Sequence, residues 1–89
     1  MADSYDIRIK VISQKGSCAA GHKVGDEWTL PAGKTPEGIC LPAFGVLYPS
    51  IRTLSFGGTF PWEKDKDATS ACCPDAANAV VFEIKRVKK

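Results

Sequence analysis

Nowhere in this chain does an apolar run come close to the roughly 20 residues that a membrane-crossing helix needs, and neither sign of charge dominates. Twelve lysines and arginines stand against ten aspartates and glutamates, a net charge of +2. A charge that small steers the chain towards neither nucleic acid nor an anionic membrane surface. Internal repeats, linkers and low-complexity segments are absent too. The N-terminus, Met-Ala-Asp-Ser-Tyr-Asp, is acidic and polar rather than basic and then apolar, so it does not read as a secretory signal. The expectation is a cytoplasmic protein. Imidazole is scarce: His22 is the single histidine.

What is present suits one folded domain spanning residues 1–89. Apolar residues make up 44% of the chain and charged residues 25%, a balance that argues against disorder. A chain of 89 residues buries only about 60–65% of the surface its unfolded form exposes. Its core is thin, and a metal, a disulfide or a partner would help it.

Three segments alternate apolar and polar residues as half-buried strands do. Residues 5–13 place Tyr5, Ile7, Ile9 and Val11 on one face. Residues 26–30 form a short second strand ended by Pro31. Residues 79–87 place Val80, Phe82 and Ile84 together, and this last strand is expected beside the first. Thr35-Pro36-Glu37 has the residues of a helix start. Apolar spacing through Cys40, Ala43, Phe44, Leu47, Tyr48 and Ile51 continues the helix, and Pro49 disfavours helical geometry at Tyr48. The spacing predicts a helix over 36–47 and a second helical piece over 49–55. Residues 63–67 read as a solvated charged loop, and Cys72-Cys73-Pro74-Asp75 as a turn. The fold class is α+β: a small antiparallel sheet covered by the helical region at about 36–55.

The candidate site rests on cysteine. Clustered cysteines in a reducing compartment point to metal or redox chemistry more often than to disulfides. His22 follows Cys18 by four residues, and Gly21 allows the backbone between them to curl so that both side chains meet one ion. Zinc takes four such ligands in a tetrahedron. Cys40, near the positive end of the helix, and Cys73, in the turn before the last strand, are the natural third and fourth. The expected site is therefore Cys18, His22, Cys40 and Cys73 around one metal, zinc in a mainly structural role. Four small buried hydrophobes and a surface histidine are the plain alternative.

Other chemistries stay open. The same ligands suit an iron–sulfur cluster or copper(I), and the vicinal pair Cys72-Cys73 suggests reversible thiol chemistry. A nucleophile pair of Cys18 or Cys40 with His22 is conceivable, with Asp26 as orienting carboxylate, although a turn role suits Asp26 better. Glu63, Asp65 and Asp67 match no calcium-loop spacing. Lys85-Arg86-Val87-Lys88-Lys89 reads as a solubilising tail. Core packing is the first expectation for Trp28 and Trp62. As an alternative, Phe56, Phe60 and Trp62 around Gly57-Gly58 line a pocket for a small molecule or a protein partner, beside His22 or Cys40.

The segments Cys18-x-x-Gly21-His22-Lys23-x-Gly25-Asp26, Gly38-x-Cys40, Phe56-Gly57-Gly58-x-Phe60-Pro61-Trp62 with Asp65, and Cys73-Pro74-Asp75 with Val80-Val81-Phe82-Glu83 span nearly the whole chain. Through them the sequence resembles a widespread family of small bacterial and archaeal proteins. The resemblance implies that Cys18, His22, Cys40 and Cys73 form a set and that Cys72 is the odd cysteine. It implies no reaction.

Overall fold

The computed structural model describes residues 5–16, 21–30 and 38–87. Strand β1 (Asp6–Gln14) is followed by β2 (Glu27–Leu30), helix α1 (Leu41–Ser55), β3 (Ala68–Cys72), a single 3-10 turn (Ala76–Asn78) and β4 (Val80–Val87). All pairings are antiparallel and the strand order is β2-β1-β4-β3. The first and last strands lie side by side, as the alternating patterns predict, and the fold is α+β.

Period-two alternation sends Ile7, Ile9 and Val11 of β1 and Val80, Phe82 and Ile84 of β4 to one face of the sheet, where all six are buried. Ile9 pairs with Ile84 and Val11 with Phe82. Alternation leaves Ile12 on the opposite face, exposed to solvent, and the pairing register shifts between Val11 and Ser13, as at a bulge. Helix α1 covers this face. Its buried residues, Ala43, Leu47, Ile51 and Leu54, recur at the spacing of one helical stripe.

The helix differs from expectation at both of its prolines. It begins at Leu41 rather than 36, so Pro42 stands in the first turn, where its missing N–H costs nothing. The expected cap at Thr35 lies outside the described residues. The helix also runs unbroken through Pro49. An interior proline costs about 3 kcal/mol. Burial of Leu47, Ile51 and Leu54, at about 1.5–3 kcal/mol each, outweighs that and holds both halves on one axis.

Strand β3 fills the stretch that the sequence reading leaves unassigned between the charged loop at 63–67 and the turn at 72–75. Its residues, Ala68-Thr69-Ser70-Ala71-Cys72, are small and carry no apolar alternation. Pairing with β4, with Thr69 opposite Ile84 and Ala71 opposite Phe82, makes it a strand. The preceding loop is not simply solvated either. Glu63 accepts a hydrogen bond from the Thr69 hydroxyl at 2.8 Å, Asp65 accepts one from the Asp67 N–H at 2.9 Å and lies 3.5 Å from Lys85 Nζ, and Asp67 pairs with Arg86 at 2.8 Å.

Arg86 corrects the reading of a solubilising tail. It continues the Val80, Phe82, Ile84 face of β4 and is only 8% exposed. Its guanidinium donates to Asp67 Oδ1 and to the carbonyls of Leu54, Gly58 and Lys66. It also sits 5.4 Å from the centre of the Tyr5 ring. A fork of five donors is suited to this many acceptors, and the negative end of α1 favours the cation there.

Candidate functional site

The cavity end of the molecule lies where α1 begins. A cavity of about 200 Å³ opens there between the helix start, the 73–80 turn and the sheet. His22, Cys40 and Cys73 all line it, together with Ala43, Val80 and Phe82. Three of the four expected site residues, separated by 18 and 33 positions in the chain, thus share one cavity wall. Cys18 lies outside the described residues.

Each of the three is positioned by backbone. Gly21 has a φ of +77°, in the left-handed region that glycine adopts without strain, and it delivers the next residue, His22, to the interior. The imidazole is 6% exposed. It meets Trp28 edge-on at 5.0 Å between ring centres and Phe82 at 6.0 Å. Its Nε2 accepts the Cys40 backbone N–H at 3.0 Å, which leaves the neutral ring's proton on Nδ1. Cys40 is the residue just before α1 rather than a member of its first turns, and its carbonyl accepts the Phe44 N–H at 2.9 Å. Cys73 follows β3 directly. Its Sγ accepts the Val80 N–H at 3.3 Å and donates to the Asn78 carbonyl at 3.8 Å. Asp75 holds the turn in place by accepting the Ala77 and Asn78 N–H groups.

Cys40, Cys72 and Cys73 are free thiols. Cys72 is at the surface, at the end of β3. Its thiol is pushed above the ordinary value, first by local desolvation and then by the Cys73 sulfur beside it. At a given pH it therefore offers less thiolate than an unhindered cysteine. Among the described residues, no group of three His, Cys, Asp or Glu side chains is placed to hold a metal ion. His22, Cys40 and Cys73 surround a space rather than converge on a point.

The remaining candidates separate cleanly. Asp26 closes the Lys23–Asp26 turn, its carboxylate accepting the Lys23 N–H at 3.1 Å, so it does not serve as an orienting group for His22. Trp28 packs against the core, as expected. Trp62 does not: it is 71% exposed, its ring tilted against that of Phe60 at 5.0 Å. The 56–62 loop belongs to the Arg86 end, where the Gly58 carbonyl accepts from the guanidinium. A pocket beside His22 and Cys40 exists, but the aromatic loop does not line it.

The described residues include no helix long and apolar enough to cross a membrane. Comparison with protein-family models, with curated proteins and with solved structures returns no match, so the family resemblance carried by the motifs gains no support from them.

Proposed function

We propose that the chain is a small cytoplasmic metal-binding domain in which Cys18, His22, Cys40 and Cys73 hold one ion, zinc in a mainly structural role. What supports this reading is that His22, Cys40 and Cys73 line a single cavity.

The hydrogen bond between His22 and Cys40 sets a condition on metal capture. His22 would hold the ion through one ring nitrogen. Bound at Nε2 it would take the place of the Cys40 N–H; bound at Nδ1 it would leave the ring proton on Nε2, facing the same N–H. In either case the His22–Cys40 hydrogen bond would have to be given up. Free energy of metal binding then adds to that of a thin core, at about 2.7 kcal/mol for a free metal concentration 100 times the dissociation constant.

Elemental analysis of the reduced protein, purified without affinity-tag metals, tests the proposal. The expected result is one zinc per chain, with a melting temperature that falls on chelation. A folded, reduced sample without stoichiometric metal refutes it. Brown colour and visible absorption after anaerobic purification would replace zinc with an iron–sulfur cluster on the same residues.

A further inference from the structure

The cavity is much larger than an ion, and its wall is mostly apolar. Ala43, Val80 and Phe82 line it from the core, each no more than 1% exposed. Pro42 and Pro74 line it nearer the surface. Several of the polar groups on the wall already have partners: His22 Nε2 holds the Cys40 N–H, Cys73 Sγ holds the Val80 N–H, and the Asp75 carboxylate holds Ala77 and Asn78. Little on this surface calls for a polar ligand. An apolar cavity of about 150 Å³ in an unrelated protein stays dry and takes up benzene. This one is about 200 Å³ and partly open to solvent, with Pro42, Pro74 and Asp75 exposed at its mouth; it is below the usual size of a drug-sized pocket.

We propose that the cavity bounded by His22, Cys40, Cys73, Ala43, Val80 and Phe82 is a binding site for a small hydrocarbon-like molecule, or the apolar end of one. The occupant has about six to eight non-hydrogen atoms. It lies against the helix start and reaches the two thiols. The site needs no metal, but it shares its walls with the zinc reading, and the two would compete for the same space.

Benzene is the probe. The reduced full chain, with its methyl and aromatic groups labelled, is titrated with benzene and followed by nuclear magnetic resonance. The expected outcome is saturable shifts centred on Ala43, Val80 and Phe82, with a dissociation constant on the order of 1 mM. Benzene should also slow alkylation of Cys40 and Cys73 by iodoacetamide several-fold and leave Cys72 unaffected. Ala43→Val narrows the cavity and should weaken the shifts; if that variant fails to fold, the map on the unaltered chain still decides. Unmoved Ala43, Val80 and Phe82 signals in benzene-saturated buffer overturn the proposal. So do shifts centred on Phe60 and Trp62, or equal protection of all the thiols. Metal content measured on the same sample separates the two readings: saturable benzene binding without metal keeps this site and removes zinc, and zinc without benzene binding does the reverse.

Discussion

The two ends of helix α1 solve opposite problems on one sheet face. They lie about 20 Å apart along β4, between Val80 and Arg86. At the C-terminal end a buried cation meets a carboxylate and three carbonyls, and the Gly58 loop closes over it. At the N-terminal end two thiols and an imidazole border an open space. A buried charge is tolerated only when its donors are matched, so the Arg86 end has a single workable arrangement. Thiols and a neutral imidazole are cheaper to leave around a void. The Arg86 end is therefore the more tightly determined, and the cavity end the more open.

The sharpest way to break this contrast is Arg86→Ala. It leaves Asp67 and the carbonyls of Leu54, Gly58 and Lys66 without their donor. The expected loss is about 3–5 kcal/mol, a large part of the total stability of a domain of this size, read from urea unfolding. Arg86→Lys should recover only a fraction, because one ammonium cannot serve four acceptors arranged for a planar fork. If Arg86→Ala unfolds at nearly the same urea concentration as the unaltered chain, the cluster is ornamental and the contrast fails.

Gly58→Ala tests the same end through its backbone. A methyl group there would meet Thr53 Cγ2 at 2.7 Å and the Thr53 carbonyl oxygen at 2.9 Å, too close for either to remain in place. The loop must move, and with it the Gly58 carbonyl that Arg86 holds. Destabilisation of about 2 kcal/mol is expected. At the cavity end, His22→Leu removes the acceptor of the Cys40 N–H but keeps an apolar body against Trp28 and Phe82. The expected cost is about 1–2 kcal/mol, smaller than that of Arg86→Ala. Equal costs would mean that the two ends carry stability alike.

The sequence signals divide along the same line. Alternation in 5–13 and 79–87 was legible because those strands face the core on one side. The same alternation placed Arg86 in register with Val80, Phe82 and Ile84, but a charged residue near a basic terminus reads as solvated unless its acceptors are known. Those acceptors come from 19 to 32 positions away, with no local mark. Strand β3 was invisible because Ala, Thr, Ser and Cys show no period; its partner defines it. The nearness of His22, Cys40 and Cys73 was more legible. Cysteine and histidine are scarce and chemically distinctive, so grouping Cys40, His22 and Cys73 required no knowledge of the fold. Their spacing could not tell a closed centre from an open pocket, because that depends on how far α1 stands off the sheet.

Trp62 gives the smallest effect and the finest discrimination. A tryptophan beside two glycines and a proline invites a core role, yet its ring is mostly in water and touches Phe60 alone among the aromatic rings. Trp62→Ala should therefore change the unfolding free energy by less than about 0.5 kcal/mol. Because the loop lies at the Arg86 end, the same variant should leave the benzene-induced shifts of Ala43 and Val80 unaltered. A stability loss above about 1 kcal/mol, beyond the usual range for a surface substitution, returns Trp62 to the core. Unchanged stability with altered shifts at Ala43 and Val80 would mean instead that helix α1 transmits strain from one end to the other, and that the two regions act as one.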